Sequence, residues 1–295
     1  MKILRTPDER FSSLKDYPFA ANYLELDGGL RMHYLDEGPR DARPVLMLHG
    51  EPSWSYLYRH MIPVCAAEHR VLAPDLIGFG KSDKPASIHD YSYQGHMDWM
   101  KEFIVRLDLT EITLVCQDWG SLIGLRLAAE NEARFARIVV GNGFLPTGRQ
   151  KMPRIFKLWR AFARFSPYFP ISKIVNSGCF KTLDAEERRA YDAPFPSSAY
   201  KAGSRAFPRL VPTSLKDPAS KANIAAWKVL EAWNKPCLTT FSNGDPITRG
   251  ADKILQKRIP GAAGRPHCTL RGGHFLQEDA GPEFARAVNE LIAST

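Results

Sequence analysis

The chain is predicted to fold as an α/β protein, with a mostly parallel sheet of about eight strands and an inserted helical cap. Three features of the sequence lead there. Short β-rich runs alternate with helical stretches, most of those runs are apolar throughout, and the alternation is broken once by a long stretch dense in aromatic, proline and basic residues.

The first two runs, Tyr23-Leu24-Glu25-Leu26 and Arg31-Met32-His33-Tyr34-Leu35, alternate polar and apolar residues. That pattern reads as a hairpin exposed on one side. The later runs are Val45-Leu46-Met47-Leu48-His49, Val71-Leu72-Ala73, Ile112-Thr113-Leu114-Val115-Cys116, Ile138-Val139-Val140, Cys237-Leu238-Thr239-Thr240-Phe241 and Cys268-Thr269-Leu270. Most of their residues are apolar, as parallel strands covered on both faces by helices require. The alternation stops after Val140 and resumes at Lys235-Pro236-Cys237. The sequence therefore divides into a first part of the core over 1–144, a helical cap over 145–216 and a second part of the core over 217–295.

Within the cap, Ile155, Leu158, Trp159, Phe162 and Phe165 recur at helical spacing, and Lys157, Arg160 and Arg164 occupy the other face. The apolar face is expected to point towards the core and the basic one to be solvated. This matters for the net charge of +8. Residues 149–216 hold 14 Lys and Arg against 4 Asp and Glu, whereas the rest holds 26 against 28. The surplus belongs to one segment, so no domain-wide basic surface and no nucleic-acid partner is expected.

A chain of 295 residues with 44% hydrophobic residues and a mean hydropathy of -0.29 buries a full core. Met1-Lys2-Ile3-Leu4-Arg5 opens no apolar targeting segment, and no run approaches the roughly 18 apolar residues of a spanning helix. The expectation is a soluble, cytoplasmic monomer without a membrane partner. The five cysteines, Cys65, Cys116, Cys179, Cys237 and Cys268, are odd in number and form no C-x-x-C pair. They are expected to be inert thiols rather than disulfides or zinc ligands.

The run Leu114-Val115-Cys116-Gln117-Asp118-Trp119-Gly120-Ser121-Leu122 passes from an apolar strand through a tight turn into a helical stretch. This is the setting of a nucleophile elbow, with aspartate at the apex where serine is usual and a glycine two residues later. Ser121 lies on the helix side of the apex, where it would be badly exposed for attack. A carboxylate nucleophile suits a saturated carbon. With an unperturbed pKa of about 3.9, an aspartate needs no activating base, and its product is an ester that water can cleave, whereas serine would leave an ether.

Cleaving that ester requires a general base, and His274 in Gly272-Gly273-His274-Phe275 follows the last strand, where such a histidine belongs. The base in turn needs an orienting carboxylate. Asp245, in Asn243-Gly244-Asp245-Pro246, follows the preceding strand, while the alternative loop Gly141-Asn142-Gly143-Phe144 carries no acid. His49-Gly50-Glu51-Pro52 follows the third strand, placing the backbone N–H groups of Glu51 and Trp119 as donors to an oxyanion. His49 itself reads as structural. No chemistry is assigned to the loop from Pro74 to Asp83.

Together, His49-Gly50-Glu51-Pro52, Gln117-Asp118-Trp119-Gly120, Asn243-Gly244-Asp245-Pro246 and Gly273-His274-Phe275 resemble the haloalkane dehalogenases of the α/β-hydrolase fold over nearly all of the chain outside the cap. The resemblance implies hydrolysis of a haloalkane to alcohol, halide and a proton, with no metal or organic cofactor. It further implies that the indole N–H of Trp119 binds halide. The second halide donor in that family is an asparagine after the His-Gly pair or a tryptophan of the cap. Position 51 is Glu, which leaves Trp159, while Trp54, Trp99, Trp227 and Trp233 read as packing residues. An epoxide hydrolase of the same fold is the alternative and would need two cap tyrosines, for which Tyr168, Tyr191 and Tyr200 are available. Glu51 and Trp159 favour the dehalogenase. A binding protein without turnover would not require the complete Asp-His-Asp set.

Overall fold

The computed structural model describes all 295 residues. Its main sheet has eight strands: β1 (Asn22–Glu25), β2 (Arg31–Glu37), β3 (Pro44–Leu48), β4 (Arg70–Pro74), β5 (Ile112–Gln117), β6 (Phe135–Gly141), β7 (Cys237–Ser242) and β8 (Cys268–Leu270). They lie in the order β8-β7-β6-β5-β3-β4-β2-β1. β1 and β2 form an antiparallel hairpin with Leu24 opposite Met32, and β2 runs antiparallel to β4. Every other neighbouring pair is parallel.

The burial of each strand follows its composition. Every residue of β3 and β5 is buried, as continuous apolar runs require, while β1 alternates between half-buried and exposed. β2 departs from the expected hairpin alternation, with Met32, His33, Leu35 and Asp36 all buried. Asp36 tolerates this because Arg70 donates to both of its oxygens, at 2.9 and 2.8 Å.

Ten helices surround the sheet: α1 (Ile62–Ala66), α2 (Tyr93–Arg106), α3 (Trp119–Glu130), α4 (Arg154–Phe165), α5 (Ile171–Ser177), α6 (Ala185–Asp192), α7 (Ala202–Leu210), α8 (Ser220–Leu230), α9 (Ala251–Arg258) and α10 (Leu276–Ala293). α4 to α8 fill the long connection between β6 and β7; α8 packs on α3, α4 on α7 and α5 on α6. One buried apolar cluster runs unbroken from the sheet, through Leu46 and Val139, to Leu183, Tyr191 and Phe207 beneath α6 and α7. The chain leaves β3 for β4 on one side, whereas β5 lies on the other. The carboxyl ends of β3 and β5 therefore meet at a switch point, where open α/β sheets hold their ligands.

The expectation for α4 needs correction. Ile155, Leu158, Phe162 and Phe165 do share a face, but they are exposed, and Ala163 is the buried residue of the helix. The apolar arc is wider than one interface can cover. Phe156, Trp159 and Ala163 turn inward against the core cluster, and the adjoining stripe is left in solvent. None of the five cysteines is paired, and Cys65, Cys116 and Cys237 are buried. No helix is long and apolar enough to cross a membrane.

Candidate active site

Asp118 stands at the turn between β5 and α3 with φ +49° and ψ -124°, a left-handed backbone that few non-glycine residues adopt. The turn is forced by close packing. A Cβ on Gly120 would lie 1.9 Å from the carbonyl oxygen of Leu48, and one on Gly50 would lie 2.5 Å from Cβ of Asp118. Two glycines therefore let the ends of β3 and α3 close on the aspartate. The amides of Ser121 and Leu122 donate to the Asp118 carbonyl at 2.9 and 3.3 Å.

The Asp118 carboxylate is held from two sides. The N–H of Glu51 donates to Oδ1 at 2.8 Å, and Nε2 of His274 lies 3.4 Å from Oδ2. On the far side of the imidazole, Nδ1 lies 3.1 Å from Oδ2 of Asp245. Asp245 accepts from the N–H of Ile247 at 2.8 Å and from the backbone and hydroxyl of Thr248, which fix its orientation. Three residues from the ends of three different strands thus meet in one line.

The electrostatics follow from that line. Burial alone would lower the basicity of His274, but the carboxylates of Asp245 and Asp118 outweigh it and lift its pKa to about 10. Burial would raise the Asp245 carboxyl, but the charge of His274 and the hydrogen bonds it accepts hold it at about 2. Glu51 has no such partners. Burial, reinforced by the nearby Asp118 charge, pushes its carboxyl well above the ordinary carboxylate range, and its Oε1 is buried without a hydrogen bond.

A cavity of about 520 Å³ opens over Asp118. Trp119 and Trp159 both line it. Trp119, at the start of α3, is wedged against Phe207 with ring centroids 4.4 Å apart, and Trp159 stacks on Phe162 at 5.7 Å and an interplanar angle of 27°. The other tryptophans face elsewhere: the indoles of Trp54 and Trp227 donate to the carbonyls of Ala190 and Leu145, and Trp99 and Trp233 are absent from the cavity wall. None of Tyr168, Tyr191 and Tyr200 reaches the wall. Tyr191 is buried and donates to Glu278, which removes it from any proton transfer to a substrate in the cavity.

The two residues set aside in the sequence have structural duties. The Ser121 hydroxyl is buried and donates to the Asp118 carbonyl at 2.6 Å, so it is not available for attack. His49 accepts the N–H of Leu76 at Nε2, 3.0 Å, and its Nδ1 donates to the Gly50 carbonyl at 2.9 Å. These bonds set the peptide that precedes the Glu51 N–H.

Other supporting residues are not legible in the sequence. The side-chain amides of Gln117 and Asn142 both donate to the His274 carbonyl, at 3.1 and 3.0 Å, and Asn142 also donates to that of Gly273 at 2.9 Å. Asp279 accepts from the Gly273 N–H at 2.8 Å. The loop from Pro74 to Asp83 contributes Asp75, which is buried, contacts His33 at 2.7 Å and accepts from the Ser55 N–H at 2.8 Å, anchoring the chain beyond Glu51 and Pro52. No spacing rule singles out such amides and carboxylates, because their partners are brought in from distant strands.

Comparison with known proteins places this geometry. Residues 43–280 match the family model of the alpha/beta hydrolase fold. A haloalkane dehalogenase of Mycolicibacterium paratuberculosis is 56% identical over 293 residues, covering 98% of this chain and 97% of that protein. One of Psychrobacter cryohalolentis is 55% identical over 298 residues, covering 99% and 98%. Among solved structures, the tetrameric haloalkane dehalogenase DpaA from Paraglaciecola agarilytica NO2 superposes with a TM-score of 0.90 at 36% identity, covering 100% of this chain and 99% of that one. With motifs, architecture and full-length similarity in agreement, the chain belongs to the haloalkane dehalogenase family of the α/β-hydrolase fold.

Proposed function

We propose that this enzyme hydrolyses the carbon–halogen bond of a haloalkane in two steps, with Asp118 as nucleophile, His274 as general base and Asp245 as its orienting acid. The observation that carries the reading is the division of labour at the Asp118 carboxylate. Oδ1 is held by the Glu51 N–H, so Oδ2 attacks the carbon as the halide leaves with the bonding electron pair. The indole N–H groups of Trp119 and Trp159, donors with no acceptor, receive the halide in the cavity they line.

In the second step water attacks Cγ of the ester while Nε2 of His274 takes its proton. The developing charge on Oδ1 is met by the N–H groups of Glu51 and Trp119, the latter unsatisfied at the first turn of α3. The intermediate collapses to free Asp118 and alcohol, and the proton leaves through His274. Alkylation also prepares the base. Two carboxylates hold the proton on His274, and esterification neutralises one of them, so the imidazole gives up its proton more readily once the ester has formed.

Residues 145–216 act in this reading as the cap that carries Trp159 and closes the cavity. The catalytic set and the cavity wall come from one chain, so the chemistry needs no second copy. A cytoplasmic location fits five unpaired cysteines.

A burst experiment separates the steps. With His274→Phe, a bromoalkane should release about one bromide per active site and stop, leaving the alkyl group on the peptide that holds Asp118. Asp118→Asn should give neither burst nor adduct. Sustained turnover by His274→Phe, or an adduct on Ser121, Cys116 or Asp245, would overturn the assignment, and turnover of a styrene-type epoxide without bromide release would favour the alternative chemistry.

A further inference from the structure

Helix α4 has two apolar surfaces. Its inner one, through Phe156 and Trp159, is a wall of the catalytic cavity. Its outer one is the stripe of Ile155, Leu158, Phe162 and Phe165, with Leu158 71% and Phe165 72% exposed, and Tyr168 just beyond is also exposed. Ile155 belongs to both, being exposed and part of the cavity wall, so the stripe runs without a break into the cavity mouth. Phe180, Ile247 and Ile254 are likewise exposed and cavity-lining, which makes the rim of the mouth apolar.

The charge around the stripe is of one sign. Arg154, Lys157 and Arg164 are exposed on α4 itself, the exposed Lys151 shares a surface concavity with Lys157, Arg164 and Phe165, and the chain carries no Asp or Glu between Glu132 and Asp184. This determines what the stripe can meet. A second copy placed by a two-fold axis would set these cations against themselves, with no carboxylate from the segment between them. An anionic lipid surface supplies both requirements at once, headgroup charge for the flanking lysines and arginines and hydrocarbon for the stripe.

We propose that the outer face of α4 docks on an anionic bilayer surface, setting the cavity mouth against the membrane so that an apolar haloalkane enters from the lipid rather than from water. A helix of 12 residues, roughly 18 Å long, lies in the plane of the interface and does not span it. The expectation of no membrane partner rested on the lack of a spanning segment, which has no bearing on docking of this kind.

The test uses the whole enzyme without substrate, so it stands apart from the roles assigned to the catalytic residues. The protein should sediment with vesicles of phosphatidylcholine containing phosphatidylglycerol, only weakly with phosphatidylcholine alone, and less as salt is raised. Leu158→Glu combined with Phe165→Glu should abolish sedimentation while leaving hydrolysis of a water-soluble bromoalkane unchanged, since neither residue lines the cavity. Lys157→Glu should weaken binding about fivefold or more. The proposal fails if the enzyme ignores the anionic vesicles, if the double variant binds as well as the parent, or if the parent is an oligomer that the double variant dissolves, which would place the stripe between copies.

Discussion

Two parts of the segment between β6 and β7 reach the same site and are attached to the core in opposite ways. The part around α6 is tied by charge. Arg59 is buried and donates to Glu278, at the start of α10, and to Glu187 of α6 at 3.1 Å, while Lys181 lies 2.8 Å from Glu278 and 3.0 Å from Glu187. Tyr191 adds a hydrogen bond to Glu278, and the Trp54 indole donates to the Ala190 carbonyl at 3.2 Å. The part around α4 has no such ties. Its polar anchors are Arg160 to the Thr213 hydroxyl and Arg205 to the Ala163 carbonyl, both at 2.9 Å and both on partners within the same segment. The network of the first part ends four residues from His274; the second part carries Trp159. The difference teaches that the part leading towards His274 is locked to the core by charge, while the part of the cavity wall that carries Trp159 is held mainly by packing.

The largest test of that contrast is Arg59→Met. It leaves the buried carboxylates of Glu187 and Glu278 to share Lys181, and removing one partner of a buried charged network costs about 3–5 kcal/mol. Urea denaturation should show the loss. A cost below about 1 kcal/mol would mean that α6 is held by apolar packing and that the contrast with α4 is false.

Asp245→Asn comes next and concerns the locked side alone. The folded carboxyl at about 2 lies below its ordinary value of 3.8, so its stabilisation is fully present above pH 4 and is lost as pH falls through 2. The substitution should therefore cost about 2 kcal/mol at neutral pH and almost nothing in strong acid, where the parent has lost the same term. A pH-independent difference in stability would show that the fold does not hold the Asp245 carboxyl below its ordinary value and that the residue is not locked by charge.

Trp159→Phe has the smallest expected effect and sharpens the other half of the comparison. If Trp159 donates to halide as proposed, its loss should slow alkylation about tenfold, equivalent to about 1.4 kcal/mol, and should weaken the quenching of tryptophan fluorescence by bromide. Stability should change by less than about 1 kcal/mol, since the ring is only partly buried. An unchanged rate and an unchanged quench would return Trp159 to core packing.

Legibility in the sequence followed the range of the interaction. The elbow could be read because strand, apex, Gly120 and helix are contiguous, so local sterics alone demand that order of residue types. His274 and Asp245 could be read because each follows an apolar run that ends at the same edge of a parallel sheet. Gln117 and Asn142 could not. Their value lies in two amides converging on one carbonyl, and only the register of β5 beside β6 brings them there. Arg59, likewise, is an ordinary cation in the sequence and becomes a structural pin when α6 and α10 close over it.

By itself, the sequence determined the parallel sheet, the break in the strand alternation between Val140 and Lys235, and the aspartate, histidine and carboxylate that meet at the strand ends, because apolar runs and tight turns are local consequences of residue type. The tertiary structure decided which half of the apolar arc of α4 is buried, that burial pushes the Glu51 carboxyl upward, and that two carboxylates outweigh burial in raising the pKa of His274. Burial and charge depend on neighbours far along the chain, and in a low-dielectric interior those neighbours dominate the energy of every ionisable group.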